Sequence, residues 1–407
     1  MVNVVFVAPY FGANILNCLN AILSLEDVKL GVIAQQPIEA LPPAFREKIS
    51  GHFQVPNSLD PDHLVLAARS FQKEWGQVDR LLGYLEQMQI PLAQARQRLR
   101  IPGMQVASAR AFRDKNLMKK VLGEAGLPVA RQARIESAAD ARAFVERVGF
   151  PVILKPLDGL GAKDTFRATD EGQLFAALNQ LLPSAQNPIQ GEEFVTGSEH
   201  TFETACIRGK PVWFSSTYYL PGPLKVVENP YLQYCVLLPR ERMEERVKPF
   251  LDLNASALEA LGLGTGLSHM EWFLTPDGRR VISEVAARPP GVNIMAMNGI
   301  AHGVDFWEKW ARLMVHETWD MPERKWAVGC AFLRGHGRGR TVASVEGLEE
   351  AIESLGDQVV QARLPKVGMP RSTHYEGEGF VIVRHEETKG AVAALRHLVT
   401  SVKLHYR

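Results

Sequence analysis

One segment constrains this chain more than any other: His269-Met-Glu271-Trp-Phe-Leu-Thr-Pro-Asp277-Gly278-Arg-Arg-Val-Ile-Ser-Glu284. Asp-Gly between strand-like residues signals a β-hairpin, because a two-residue type I′ turn needs positive φ at both central positions. A turn centred on Asp277-Gly278 places Glu271 and Glu284 directly opposite each other, on one side of the ribbon. Their Cβ atoms would then lie about 5 Å apart, where like charges repel. Two carboxylates so placed call for a proton or a cation between them. Mg²⁺ is bound in this way, by one or two carboxylates together with substrate phosphates. Read alone, the hairpin is equally consistent with two solvated glutamates in a shifted register.

The rest of the chain reads as an α/β protein. Apolar runs at residues 4–8, 30–34 and 80–83 look like buried strands, and 13–25 like a crossover helix, which together suggest a parallel βαβ sheet. The turn Pro9-Tyr10-Phe11-Gly12 lacks Gly-x-Gly-x-x-Gly, so a dinucleotide-binding domain is disfavoured. Ile101-Pro102-Gly103 marks a boundary, after which Asp114 can cap a helix with Leu117, Met118, Val121, Leu122 and Ala125 on one face. A helix over 138–148, a strand over 151–155 and strands over 192–195, 201–207 and 212–218 follow. Residues 219–235 show no period, and a helix over 240–261 precedes the hairpin. After Trp326 the pattern restarts, with strands at 328–333, 359–364 and 380–383 and two helices. The expected division is 1–110, 111–325 and 326–407.

Charge narrows the function classes. Lys and Arg number 46 against 45 Asp and Glu, a net charge of +1, which gives no general attraction to nucleic acid or anionic membrane. The Arg334–Arg340 run, Arg-Gly-His-Gly-Arg-Gly-Arg, reads as a solvated turn or as a contact for an anionic substrate. The four cysteines form no Cys-x-x-Cys pair, and no apolar run reaches the roughly 20 residues of a membrane helix. The N-terminus reads as a strand, so a cytoplasmic protein is expected.

Several other residues carry chemistry. Lys155 ends an apolar strand, which asks for an anionic partner. Pro156 follows, then a loop whose Gly159 and Gly161 can bring N–H groups to a phosphate, with Lys163 inside it. Lys115 opens the Asp114-capped helix, where anions are favoured. Glu192-Glu193-Phe194-Val195 and Glu199 put carboxylates at the end of another strand. Singly, each lysine is a solvated side chain and each glycine pair a turn.

In combination and in order, these segments resemble the ATP-grasp superfamily, in its carboxylate–amine or thiol ligase and biotin-carboxylase-like branch. The resemblance covers roughly residues 105–320 and looks closest to formate-dependent phosphoribosylglycinamide transformylases and amino-acid ligases. It implies an ATP-grasp fold between an N-terminal parallel-sheet, Rossmann-like domain and a small C-terminal α/β domain. It implies that Lys115 and Lys155 hold ATP phosphates under the Gly159–Lys163 loop. Main-chain groups at Glu193 and Val195 would meet the adenine edge, with Glu192 near its amino group, and Glu199 the ribose hydroxyls. Glu271 and Glu284 would bind Mg²⁺, for which Mn²⁺ can substitute, and Arg288 would meet the transferred phosphoryl group. The chain departs from the family's Glu-x-Asn-x-Arg at Glu284-Val-Ala286-Ala-Arg288, and Asp164 follows Lys163 where a small residue is common. The expected activity is ATP-dependent joining of a small-molecule carboxylate to an amine through an acyl phosphate, in an enzyme that is commonly a homodimer. The alternatives are carboxylation through carboxyphosphate, which would need a separate biotin carrier, and a non-catalytic ATP-binding module.

Overall fold

The computed structural model describes residues 1–157, 164–229, 232–241 and 247–407. Near the N-terminus the apolar runs become strands Val2–Ala8, Val28–Ala34 and Arg80–Gly83. A fourth strand, Gly51–Gln54, is too short and mixed to show in the sequence. All four are parallel, in the order Gly51–Gln54, Val28–Ala34, Val2–Ala8, Arg80–Gly83. Alternate residues of the first strand serve two cores. Val4 and Phe6 pack with Ile15, Leu19 and Trp310, while Val5 and Val7 pack with Leu64, Phe71 and Leu92. Burial on both faces explains the unbroken apolar run in place of an alternation.

A second, antiparallel sheet follows, in the order Gln132–Ile135, Ile189–Glu193, Val152–Pro156, Phe166–Ala168. Asp114 caps the helix Lys115–Glu124 as expected, accepting from the N–H groups of Asn116 and Leu117 at 2.9 Å each. The helix expected over 138–148 is Ala138–Val148.

Among the described residues, the largest sheet has nine strands. Its path runs Arg280–Ala286, Gly266–Leu274, Ser198–Ile207, Tyr218–Leu220, Tyr234–Leu238, Ala327–Leu333, Gly379–His385, Val359–Arg363, with Lys210–Ser215 paired to Ser198–Ile207 beside it. The single strand expected over 212–218 is thus two, both on Ser198–Ile207 and interrupted at Ser216-Thr217, where Thr217 bonds back to Thr201; the second also pairs with Tyr234–Leu238. The unpatterned stretch contains a helix, Pro223–Glu228, opened by its proline. The helix expected over 240–261 is Phe250–Leu261, with Pro249 immediately before it and residues 242–246 outside the described ones. Strands after Trp326 continue this sheet, since Ala327–Leu333 pairs with Tyr234–Leu238. Residues 326–407 therefore share a sheet with the middle of the chain. Among the described residues, no helix is long and apolar enough to cross a membrane.

The hairpin forms, but its turn is not the expected type I′. In the stretch Thr275–Arg279 positive φ occurs at Gly278 (84°), not at Asp277. The Thr275 carbonyl accepts from the Gly278 N–H at 2.9 Å, and the Thr275 N–H donates to the Arg279 carbonyl at 2.9 Å. This is a three-residue loop, a type I turn closed by a left-handed glycine, which Pro276 at its second position favours. The pairing beside it is one residue off the expected register, with Trp272 opposite Ile282 and Leu274 opposite Arg280. A bulge at Ser283 absorbs the difference, and Glu271 opposes Glu284 after all.

Candidate functional site

A cavity of about 180 Å³ opens between the second sheet and the hairpin end of the large one. Lys115, Lys155, Glu192, Glu193, Val195, Glu199, Glu271, Glu284 and Arg288 all line it. Gly159, Gly161 and Lys163 lie outside the described residues.

One wall is a lysine frame. The pairing of Val152–Pro156 with Ile189–Glu193 sets Ile153 against Glu192 and Lys155 against Gln190. Lys155 and Glu192 are therefore diagonal neighbours on one face, with Lys155 Nζ at 3.1 Å from Glu192 Oε1. Lys119 reaches the same oxygen at 2.8 Å from the helix Lys115–Glu124. Burial works to raise the Glu192 carboxyl, but Lys119 and Lys155 outweigh it and hold it at about 2. Burial likewise works against the Lys155 ammonium, yet Glu192 and Glu284 raise it above the usual lysine value. Lys119 goes the other way, lowered by burial and by the neighbouring Lys155. The resemblance places Glu192 near the adenine amino group. Its carboxylate pairs with two lysines here.

The opposite wall carries carboxylates. Lys115 Nζ lies 2.9 Å from Glu284 Oε1, and the Tyr219 hydroxyl donates to Glu271 Oε1 at 3.2 Å. His269, paired across the sheet with Glu203 on one side and Ala286 on the other, has Nδ1 3.0 Å from Glu203 Oε1 and Nε2 3.7 Å from Glu271 Oε1. Burial alone would lower this imidazole, but Glu203 and Glu271 raise it to about 9, so it is a cation at neutral pH. Burial also pushes Glu271 up, and His269, Arg288 and Tyr219 more than reverse it. Glu199 has less relief, from the charge of Lys155 alone. Burial first, then the charges of Glu271 and Glu284, push its carboxyl well above the ordinary range. Among the described residues no group of three or more His, Cys, Asp or Glu is arranged to hold a metal. Glu271 and Glu284 form a two-carboxylate wall, which suits a hard cation that takes its remaining oxygens from phosphate and water.

Arg288 closes the cavity, its Nε 2.7 Å from Glu86 Oε2. Glu86, buried at 6% exposure, also accepts from Arg113 at 3.2 Å. Burial lowers the Arg288 guanidinium, and Glu86 more than compensates. Glu193 points elsewhere, its carboxylate on Arg131 Nε at 2.6 Å and its N–H on the Arg131 carbonyl at 2.9 Å. Tyr375, from the C-terminal part of the chain, completes the lining.

Lys119, Glu86, Arg113, His269 and Glu203 escaped sequence reasoning. Lys119 had a signal, since it stands one helical turn after Lys115 and shares its face. Glu86 had none, being a lone acid in the short turn Glu86–Met88 that meets Arg288 only in the fold.

Residues 114–204 match the family described as the carbamoyl-phosphate synthase L chain, ATP binding domain. Alanine–anticapsin ligase of Bacillus subtilis is 28% identical over 238 residues, covering 53% of this chain and 49% of that protein. An uncharacterized protein of Sinorhizobium fredii is 24% identical over 310 residues, covering 74% of this chain and 63% of its own length. The chain thus spans less than two thirds of either relative. The L-amino acid ligase of Bacillus licheniformis superposes with a TM-score of 0.76 at 20% identity, over 100% of this chain and 99% of that one. The biotin carboxylase domain of Hydrogenobacter thermophilus 2-oxoglutarate carboxylase, solved with MgADP, ADP and bicarbonate, superposes with a TM-score of 0.68 at 14% identity, over 98% of this chain and 90% of that one. With the motif order of residues 114–204, the antiparallel sheet behind Lys155 and the carboxylate hairpin facing it, these likenesses show that the chain has the ATP-grasp fold, with residues 114–204 matching an ATP-binding domain family.

Proposed function

We propose that this protein is an ATP-dependent ligase that joins a small-molecule carboxylate to an amine through an acyl phosphate, releasing ADP and phosphate. One observation carries the reading. Two lysines, two facing carboxylates and an arginine converge on a single cavity from separate elements. The ligase relatives and the MgADP-bound neighbour support it.

In this reading Lys115 and Lys155 bind the nucleotide phosphates, each already oriented by a carboxylate. Glu271 and Glu284 hold Mg²⁺, which neutralises phosphate charge when bound. Because Ala286 supplies no side-chain oxygen ligand, the protein's side-chain share of that site is these two carboxylates. His269, opposite Ala286, contributes a positive charge beside Glu271. Glu199 ionises or donates according to what enters the cavity. The substrate carboxylate attacks the γ-phosphoryl group, and Arg288, fixed by Glu86, binds the charge developing on it bidentately. The amine then displaces phosphate from the acyl carbon. No protein nucleophile takes part, so catalysis is positioning and electrostatics.

The test is interception. A panel of amino acids and small carboxylates is first screened by phosphate release from ATP with candidate amines. The acid so identified, with ATP and hydroxylamine in place of the amine, should yield a hydroxamate. Arg288→Lys, which loses the fork, should suppress hydroxamate formation far more than nucleotide binding. If that acid supports ADP formation with its amine but never a hydroxamate, and positional isotope exchange in ATP is absent without amine, the stepwise mechanism is wrong.

A further inference from the structure

Arg288 lines a second cavity as well, of about 70 Å³. Leu267, Trp310 and Met314 make its apolar walls, and Arg80 and Arg96 join Arg288 among its charged ones. Arg96 comes from the helix Gln89–Leu99 and is 6% exposed. Its hydrogen bond among the described residues runs from Nε to the Leu81 carbonyl at 2.8 Å, a neutral acceptor. No carboxylate among the described residues stands within ion-pair distance of it. Burial pulls its guanidinium down to about 10, so it stays charged at neutral pH.

The neighbouring charges do not resolve this. Arg80 also donates to main-chain carbonyls, those of Met314 at 3.2 Å and Asp79 at 3.1 Å. Glu317, the carboxylate in the lining, is held by Arg208 at 2.7 Å, and Arg288 by Glu86. A buried charge is retained when something pairs with it. The chain is also shaped around this arginine. Gly103 sits at φ 148° where an added Cβ would come within 2.8 Å of Arg96 Cδ, so the boundary loop accommodates the side chain by having none of its own.

We propose that this cavity is a binding site for a small carboxylate with a short apolar body, its head seated on Arg96 and its body against Leu267, Trp310 and Met314. A planar carboxylate matches the guanidinium fork, and the apolar walls favour an alkyl tail over a fully hydrated oxyanion. The site stands apart from the lysine-lined cavity, with Arg288 as the common wall. It does not rest on the ligase reading.

Calorimetry with isovalerate, inorganic phosphate and chloride as separate probes tests this. Wild type and Lys155→Met should bind isovalerate saturably and alike, because Lys155 lines the other cavity. Arg96→Met should lose about tenfold or more in affinity, the least that a charge-assisted hydrogen bond contributes. Arg96→Lys, which keeps the charge without the fork, should fall between. Thermal unfolding without carboxylate checks the fold: Arg96→Met should melt no lower than wild type, since an apolar side chain replaces an unpaired buried charge. If Arg96→Met fails to fold, the Arg96→Lys loss carries the test. Unchanged binding in Arg96→Lys and Arg96→Met, no saturable binding by wild type, or loss of binding in Lys155→Met would overturn the proposal. Phosphate binding more tightly than isovalerate would overturn the carboxylate assignment.

Discussion

Replacing Glu192 by Gln changes no shape and removes one negative charge, the charge shared by Lys119 at 2.8 Å and Lys155 at 3.1 Å. The carboxyl titrates at about 2 against an ordinary 4.5. At 1.36 kcal/mol per pH unit, the folded site thus favours its anion by about 3 kcal/mol net of the burial that opposes it. Glu192 is 5% exposed, so solvent screening takes little of this away. Breaking a buried pair from one side costs about 3–5 kcal/mol in general, which agrees. The expected outcome for Glu192→Gln is a loss of about 3 kcal/mol, read as a lower urea midpoint. The pH dependence has a definite sign. The folded-state value lies below the unfolded one, so this stability is present above about 4.5 and is lost as pH falls toward about 2. The gap between wild type and variant should therefore be full at neutral pH and close on acidification through that window. The rival role, a carboxylate reading the amino group of a base, predicts something else: altered preference between ATP and GTP at unchanged stability. A loss under about 1 kcal/mol, or a gap that does not depend on pH, would refute the lysine-frame argument.

Three further outcomes follow from the same geometry. Lys155→Met should weaken a non-hydrolysable ATP analogue by about 1.5–3 kcal/mol, the worth of a charged hydrogen bond, and calorimetry reporting equal affinity would remove Lys155 from the nucleotide site. Glu271→Gln and Glu284→Gln should each abolish turnover with the fold intact by circular dichroism, and should flatten the Mg²⁺ dependence of nucleotide affinity that wild type shows. Glu86→Gln leaves Arg288 and Arg113 without their shared anion. It should lower kcat about tenfold to a hundredfold, equivalent to 1.5–3 kcal/mol, while nucleotide KM stays near wild type; a change in KM alone would mean that Glu86 does not position Arg288.

What could be read from the sequence, and what could not, follows the range of the interactions. Strands buried on both faces, such as Val2–Ala8, and capped helices, such as Lys115–Glu124, are written in a few consecutive residues. The lysines and the paired glutamates are legible because each stands beside a local signal, a strand end, a cap or a hairpin, and Arg288 only through the family pattern it shares with Glu284. The residues that tune them are not. Glu86 and Arg288 are more than two hundred positions apart, and nothing around Glu86 marks it as their meeting point. Glu203 likewise looks like any strand residue until the sheet sets it against His269. The membership of the last strands in the large sheet is of the same kind. Residues 327–333 spell a buried strand but do not say which partner they bury against.

The hairpin shows how a correct contact can come from an incorrect path. Asp277-Gly278 was read as the centre of a two-residue turn, yet Pro276 ahead of it selects the type I turn with a left-handed Gly278. That choice alone slips the pairing by one, and a one-residue slip turns every following side chain to the other face. Carried through to the end, it would set Glu271 against Ser283 and turn the glutamates to opposite faces. Leu274 to Trp272 obey the slipped register, with Trp272 buried against Phe250 at 4.3 Å between ring centroids. The extra residue is then absorbed at Ser283, between the last core pair and the glutamates. The bulge thus lets one strand satisfy two demands: its turn end follows the register that the loop dictates, and its inner end brings Glu284 to face Glu271. Bulges concentrate beside functional sites because they re-aim side chains, and here the re-aimed residue is a carboxylate of the cavity. Deleting Ser283 should therefore remove the bulge and nothing else: the loop end keeps its register, and Glu284, now following Ile282 directly, still opposes Glu271. The check is the Lys115–Glu284 ion pair, 2.9 Å in the native protein. A deletion variant that loses this pair, seen in its structure, would show that Ser283 does more than absorb a register set by the turn.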